Sequence, residues 1–566
     1  MLKIILWGAF LLTPCFTTNI LDYFIGTDLL ALACALLAAA WMRFNDPKCA
    51  VAVSRTVLLF LGLLLLPALL ALLLSSPPNP WAVVKSVMYF MAAYLIFRMS
   101  QSQANRWVNG IYWVVLLGVV GNLYVVIGLA QSFHLFVEDQ KSLFAIWSYI
   151  PQLSGPLLQR NLTSLFLLLV LSALWIQAIR SGFQKGWWLA SLLPCAVVLL
   201  SNSRSGLLLL IALVLLIFVV AMEKRRFLLH LFPLLTIAYG LALFWHQELQ
   251  LLGQDDVALG SRLADASVAP RLTIWLSSLH LFLDHPWWGI GYGNLASYYA
   301  LAQGDVLAQH PDLYEMDAVT YWSHNVMLQF FAEGGLLAGV AMLLLFSAVA
   351  KRSWQVLRDG QGVQHPLFPS VVGVGLLLTH GLLSISLYQG FFLALLGLYL
   401  AALFPLAIVN QEASPRLDAR RLLLFVPALY CFFTWYQFVH TQVEIRAVFD
   451  DDPDSDRFIT EVAKAIDNPW LARAGLEYLF VNMELTHAPA RQWIQLYPML
   501  YHYWLLNQEP LALKRLILQA HLSDNALSEK YLAEQYQHLF PQNGWNKKLS
   551  QHIQGGHQAH EALDMQ

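Results

Sequence analysis

The chain has 566 residues, of which 58% are hydrophobic and only 12% are charged, and its mean hydropathy is +0.57. Soluble globular chains carry about 25% charged residues, so the composition excludes an ordinary soluble domain. The net charge of −2 does not indicate nucleic acid as a partner. Five cysteines lie in or near apolar segments without the spacing of a zinc site. We therefore expect no disulfide framework, no metal site and no cofactor.

Apolar runs long enough to cross a bilayer follow one another through residues 1–440. Because a spanning helix needs roughly 20 such residues, the sequence predicts an all-α bundle of about 13 transmembrane helices. The predicted spans cover residues 2–18, 27–43, 56–74, 81–97, 107–131, 161–179, 187–200, 206–222, 227–245, 323–350, 368–386, 389–409 and 421–440. No small-residue cleavage site follows the first run, so we interpret it as a retained helix rather than a signal peptide.

Basic residues alternate between the two sides of these spans. One set of connections holds Arg43, Lys48, Arg55, Arg98, Arg106, Arg180, Lys185, Lys224, Arg225, Arg226, Lys351, Arg352, Arg358, Arg416, Arg420 and Arg421. The positive-inside rule places this set in the cytoplasm together with the N-terminus. The sequence then predicts a transmembrane domain over residues 1–440, with a long outer loop at 246–321, and an outer helical domain over residues 441–566. A loop of that length is typical of a functional segment.

Four arginines oppose this charge pattern because they fall on the predicted outer side: Arg160, Arg204, Arg262 and Arg271. A guanidinium group matches phosphate oxygens with its planar fork of donors. The alternatives are snorkelling or pairing with the outer acidic residues Glu138, Asp255, Asp256 or Asp265. For Arg204 and Arg271 together we favour anion binding.

The long loop contains a second signal around Arg271. Pro270 suits the first turn of a short helix, and Asp284-His285-Pro286 is expected to end that helix. Arg271 and Trp275 then share one helix face. Residues 287–293 follow and read Trp-Trp-Gly-Ile-Gly-Tyr-Gly. The tryptophans are typical of the membrane interface and the glycines predict a tight turn.

The loop ends at Ser323-His324-Asn325, before a long apolar helix. Ser323 is the expected N-cap, which would put His324 in the first turn. At helical spacing Gly335 and Gly339 would return to the face of His324 and form a smooth strip. Glu333 would lie on the opposite face as a carboxylate at membrane depth, with either a functional role or a structural hydrogen bond.

The ordered motifs resemble the O-antigen ligase superfamily. His324-Asn325 followed by Gly335 and Gly339 resembles its signature, and the Ser203–Gly206, Arg271–Trp275 and Asp284–Gly291 segments match its other blocks in order. The segment Gly155–Asn161 is similar to the Gln-x-Asn block of the pilin-type protein O-oligosaccharyltransferases, and the C-terminal extension fits that branch. Where those relatives have Glu-x-Pro, this chain has Leu383–Gln389 instead, with Tyr388 as the match to a functional tyrosine.

This resemblance implies an enzyme of the bacterial inner membrane that acts at the periplasmic face, with a periplasmic C-terminal domain. The donor would be an oligosaccharide on undecaprenyl diphosphate, and the acceptor a Ser or Thr hydroxyl of a secreted protein such as a pilin. His324 would be the catalytic base, and Arg204, Arg271 and Arg160 would bind the diphosphate. The residues expected to position the glycan or the acceptor are Gln159, Asn161, Asn325, Tyr388 and Glu333.

Two other functions remain open from the sequence. The same chemistry can serve glycan ligation to lipid A core or O-antigen polymerisation. A lipid-glycan transporter is the rival from another class, although such proteins carry ionisable residues along a midplane pathway and internal repeats. Asp450–Asp456 lacks the glycine and distal glutamate of a calcium loop, so we interpret it as a solvated acidic helix entrance.

Overall fold

The computed structural model describes residues 1–16, 23–44, 55–132, 155–157, 159–221, 223–251, 268–316, 320–405, 425–451, 510–522, 526–547 and 549–550, with residues 501, 504, 505 and 508. Every regular element in these ranges is helical. The chain divides into two compact units. The first contains residues 1–54, 88–265 and 345–443, and the second contains residues 55–87, 266–344 and 444–566.

The helices in the first part of the chain, to residue 251, are α1 (Leu2–Leu12), α2 (Tyr23–Phe44), α3 (Arg55–Leu70), α4 (Pro80–Ser100), α5 (Ala104–Val108), α6 (Ile111–Ser132), α7 (Arg160–Arg180), α8 (Lys185–Ala190), α9 (Leu192–Leu200), α10 (Arg204–Val220) and α11 (Lys224–Leu251). A π-helical turn, Ala71–Ser75, extends α3. Most of these helices are apolar throughout, because lipid and neighbouring helices are the only surroundings available to a spanning segment.

The later helices are α12 (Val268–Asp284), α13 (Leu295–Gln309), α14 (Val326–Arg358), α15 (Phe368–Gly381), α16 (Gly390–Leu403), α17 (Val426–Asp451), α18 (Pro510–Leu522) and α19 (Ala526–Leu539). In the described part of the chain, six helices are long and apolar enough to cross a membrane, and shorter apolar helices accompany them. The prediction of an all-α, multi-pass membrane protein is confirmed. A helix overlaps each of the predicted spans, whereas their number stays a prediction.

Helix α7 is the centre of the first unit. Its side chains are buried around nearly the whole circumference from Leu162 to Ile179. Helix α6 approaches it closely, since a Cβ at Gly121 would lie 2.7 Å from Cγ2 of Val170. The fully buried ring of Phe166 packs 5.8 Å from that of Phe391, measured between centroids. An aromatic pair of this kind stabilises the fold by about 0.5–1.5 kcal/mol beyond the contribution of the apolar area that it buries.

In the second unit, α14 is broken at Gly335, where φ is 62° and ψ is −159°. This backbone conformation is essentially restricted to glycine. The break frees backbone groups that would otherwise bond within the helix, and the turn before α13 satisfies them. Ile290 N–H donates to the carbonyl of Ala332 at 3.1 Å, and Gly291 N–H to that of Glu333 at 2.9 Å. Leu336 N–H donates to the carbonyl of Pro286 at 2.7 Å.

The prediction of a smooth glycine strip beside His324 is therefore wrong. A Cβ at Gly335 would lie 2.4 Å from the carbonyl carbon of Trp287, so the 286–291 turn occupies this position within the same unit. Gly339 is also filled, because a Cβ there would lie 2.1 Å from the ring of Phe331. The strip failed as a prediction because it assumed that the helical spacing continues through Gly335.

The described C-terminal helices α18 and α19 pack against each other. Helix α19 also contacts α13, where a Cβ at Gly304 would lie 2.5 Å from the carbonyl oxygen of His538. The Gln542 side-chain amide donates to the carbonyls of Pro311 and Leu313, at 2.9 and 3.1 Å. These helices and the loop segment around α13 thus form one compact unit. Residues 452–456 of the acidic segment and Arg262 lie outside the described residues.

We expect Gly335→Ala to destabilise the protein by roughly 3 kcal/mol or more, since it combines a strained backbone with overpacking against the 286–291 turn. Thermal unfolding of the purified protein in detergent measures the effect. Gly240→Ala is the matched control, because that helical glycine has nothing within 4 Å of its Cβ position. Equal unfolding temperatures for the two variants would contradict the assigned break.

Candidate functional site

In the first unit, two of the predicted arginines begin helices. Arg160 is the first residue of α7 and Arg204 is the first residue of α10. Both side chains are half-buried. The first turn of a helix presents unbonded N–H groups and the positive end of the helix dipole, which favour a bound anion. An arginine at this position adds a full positive charge beside those groups.

A hydrogen bond ties the two helix starts together. The Ser203 hydroxyl donates to Oδ1 of Asn161 at 2.8 Å and accepts from Gly206 N–H at 3.0 Å, so it caps α10 while holding α7. Gln159 lies immediately before α7, and its Oε1 is buried without a hydrogen-bond partner among the described residues. The structure therefore brings Gln159, Arg160, Asn161 and Arg204 together at one end of this unit.

The short turn that contains Tyr388 is connected to α10 through a histidine that the sequence analysis missed. His380, at the end of α15, is fully buried. Its Nε2 lies 3.4 Å from the Ser205 hydroxyl and its Nδ1 lies 3.0 Å from the Ser386 hydroxyl, in the short turn Ser386–Tyr388. A neutral imidazole donates with one nitrogen and accepts with the other. The sequence signal was a single histidine in an apolar helix, followed by serines.

The second unit holds His324 just before α14. Its φ is +55°, a left-handed conformation that is uncommon for residues other than glycine. Its Nδ1 is buried and has no hydrogen-bond partner among the residues that the structure describes. A buried ring nitrogen without a partner is costly and is available to a substrate hydroxyl.

The predicted helix start at this position is wrong by two residues. Asn325 is the residue that caps α14, since its Oδ1 accepts from Met327 N–H at 3.0 Å and Leu328 N–H at 3.2 Å. Ser323 instead bonds to the backbone two residues ahead. Its hydroxyl donates to the carbonyl of Asn325 at 2.7 Å and accepts from the Asn325 N–H at 3.2 Å. His324 consequently lies outside the helix, where its ring is not restricted to a helical face.

Helix α12 carries Arg271 and Trp275, four residues apart, and both lie near the segment that contains His324. It runs from Val268 and ends at Asp284 before Pro286. The Trp275 indole N–H donates to the carbonyl of Ser323 at 3.0 Å. Burial, with a smaller contribution from the positive charge of Arg271, lowers the pKa of His324 from 6.5 to about 4. The imidazole is therefore neutral near pH 7.

Glu333 is placed in the same unit, in α14, with 4% of its surface exposed. Its Oε1 accepts from the Gln329 side-chain amide at 2.9 Å and from Leu295 N–H at 3.3 Å. The second unit thus contains Arg271, His324, Asn325 and Glu333. The hydrogen bonds that Glu333 accepts come from groups within the protein, as expected for a structural role.

The helical fold and its apolar spans define a multi-pass membrane protein. Residues 189–343 match the family model described as O-Antigen ligase. This match supports the O-antigen ligase superfamily, and with it glycan transfer of the ligase or polymerase type from a lipid-linked donor. Arg204, Arg271 and His324 lie inside the matched segment, whereas Gln159, Asn161 and Tyr388 lie outside it. A comparison with curated proteins gives no match.

We expect Arg271→Gln to raise the pKa of His324 above its value of about 4 but to leave it below 6.5. Removing a nearby positive charge favours the imidazolium form, whereas burial, the larger cause of the shift, remains. The pKa can be measured from the pH dependence of diethylpyrocarbonate modification at His324, followed by peptide mass spectrometry. Arg225→Gln, an exposed residue in α11, is the control and should leave the midpoint unchanged. A midpoint that does not move in Arg271→Gln contradicts the electrostatic assignment.

Proposed function

We propose that this protein transfers an oligosaccharide from undecaprenyl diphosphate to Ser or Thr hydroxyls of secreted proteins such as pilins, at the periplasmic face of the bacterial inner membrane. The observation that carries the proposal is His324. This residue combines a left-handed backbone at φ +55°, a buried Nδ1 without a partner among the described residues and a neighbouring arginine. It also lies within the segment that matches the O-Antigen ligase model.

In the proposed reaction the acceptor oxygen attacks the anomeric carbon of the donor sugar and inverts it. The new C–O bond forms as the bond between that carbon and the diphosphate oxygen breaks. The acceptor proton passes to His324, whose buried Nδ1 has no partner among the described residues. The diphosphate leaves with an additional negative charge, and Arg204 and Arg271 stabilise it electrostatically.

The remaining site residues are assigned by their positions. Arg160, at the start of α7, supports the diphosphate. Gln159 and Asn161 offer neutral hydrogen bonds to the glycan or the acceptor. Asn325 and Tyr388 are proposed to line the acceptor side. Glu333 is assigned to positioning because its carboxylate accepts hydrogen bonds from Gln329 and Leu295 within the protein.

The protein acceptor is supported by the Gln-x-Asn block at 159–161 and by the C-terminal helices α18 and α19, which add a folded segment for recruiting a protein. The description of the matching family model favours a second candidate, ligation of glycan to lipid A core. Both candidates use the same donor and the same base, so they differ only in the molecule that supplies the hydroxyl.

We expect His324→Ala to lower the transfer rate by about 10²–10⁴-fold, as loss of a general base does. Arg204→Gln and Arg271→Gln should each lower it by about 10²–10³-fold, as loss of an electrostatic donor does. The assay uses purified protein, a synthetic undecaprenyl diphosphate glycan and an acceptor. His310→Ala and Arg225→Gln, both at exposed positions, are the matched controls. Unimpaired transfer by His324→Ala removes this residue from the mechanism.

The acceptor is tested by offering the same donor to a pilin-type protein and to lipid A core in parallel reactions. We expect glycan on Ser or Thr of the protein, located by intact mass and peptide mass spectrometry. Glycan that appears only on lipid A core would establish the ligase alternative. Extension of the lipid-linked glycan without either acceptor would instead establish a polymerase.

A further inference from the structure

We propose that Gln329 and Glu333 form a buried chain of hydrogen bonds, called the relay below, that holds the backbone beside His324 and so positions its ring for proton transfer. Neither residue contacts the histidine ring in the described structure, so both are positioning residues rather than catalytic ones. The inference rests on the proposed role of His324 as the base. It adds a way in which the fold holds the imidazole in place.

Gln329 connects the backbone before His324 to α14. It is almost fully buried, in the first turn after the Asn325 cap. Its Oε1 accepts from Ser323 N–H at 2.8 Å, and its Nε2 donates to the carbonyl of Tyr321 at 3.3 Å. One amide group therefore holds the chain at two places just ahead of the histidine.

Glu333 determines which way round this amide lies. Its Oε1 accepts from Nε2 of Gln329, so the amide nitrogen must face the carboxylate and the amide oxygen must face Ser323. The same carboxylate oxygen accepts from Leu295 N–H, at the start of α13. Glu333 thus links the loop that carries His324 to α13, which begins 38 residues before Glu333 in the chain.

The arrangement restrains Ser323, the residue immediately before His324, from three directions. Gln329 holds its N–H, the indole of Trp275 holds its carbonyl at 3.0 Å, and Asn325 bonds its hydroxyl. His324 itself adopts φ +55°, a conformation that an ordinary side chain does not keep without such restraints. Misplacement of a reacting group by about 1 Å can cost about 10²-fold in rate. Restraint of the neighbouring backbone is therefore a catalytic requirement.

Gln329→Met tests the relay, because methionine has a similar length and lacks both hydrogen-bonding groups. Gln303→Met is the matched control in the same unit. Gln303 is also fully buried and clamps a backbone segment in the same way, through the N–H and carbonyl of Met316 at 2.9 and 3.2 Å. Loss of thermal stability should be similar in the two variants.

We expect Gln329→Met to lower kcat by about 30–100-fold, with the KM for the donor changed less than about threefold, because only the position of the base is lost. Gln303→Met should keep kcat within about threefold of the wild type. Diethylpyrocarbonate should also modify His324 faster in Gln329→Met and at an unchanged rate in Gln303→Met. This labelling does not depend on turnover. Equal kcat and equal labelling in the two variants would overturn the proposal.

Substitutions of Glu333 supply a second test. Glu333→Gln retains an oxygen that can accept from Gln329 and from Leu295 N–H, so it should lower kcat less than Glu333→Leu does. Glu333→Leu removes the acceptor and should resemble Gln329→Met in kcat and in labelling. If Glu333→Leu keeps wild-type kcat and labelling, the relay is overturned, whatever the folding yield of Gln329→Met.

His324→Ala, assayed in parallel, separates this proposal from the function on which it rests. Full activity of His324→Ala would reject the catalytic assignment of the histidine itself. An inactive His324→Ala together with unaltered Gln329→Met and Glu333→Leu would reject the relay alone. Inactivity of all three, with the Gln303→Met control active, supports both.

Discussion

The break in α14 at Gly335 is the constraint on which the surroundings of His324 depend. A continuous helix would bond Leu336 N–H to the carbonyl of Ala332, and the turn before α13 would then have no partner for its own N–H groups. Instead, three backbone bonds cross between the helix and the 286–291 segment. Buried backbone groups are nearly always paired, so the break and the turn require each other. The short helical piece between His324 and the break is thereby held at both ends.

The sequence predicted the helices well because the physical signal was strong. Pro270 and the Asp284–Pro286 segment bound α12 as expected, since proline suits the start of a helix and prevents its continuation. The break at Gly335 was not predictable, because glycine at that spacing occurs equally in straight packed helices. His380 was missed for a related reason: its serine partners come from distant segments, and only the tertiary structure brings them to both ring nitrogens.

The two buried histidines, His380 and His324, differ in how their ring nitrogens are hydrogen-bonded. His380 is bonded at both nitrogens by serines, so its polarity is fully satisfied inside an apolar bundle. His324 has a buried Nδ1 that no described residue satisfies. An unsatisfied buried polar atom costs about 1–3 kcal/mol, which a fold tolerates where another molecule completes the bond. The candidate base was recognisable in the sequence by its motif, whereas this difference in hydrogen bonding required the structure.

The packing of α19 on α13 has a consequence for how the protein is made. The backbone of His538 fills the space beside Gly304, so the two segments complete one another although more than 200 residues separate them along the chain. Contacts so distant form late, because the intervening loop must be closed first. During synthesis the surface of α13 around Gly304 therefore stays uncovered until α19 has been translated. An uncovered surface of this kind is open to misassembly with other segments until its partner is present.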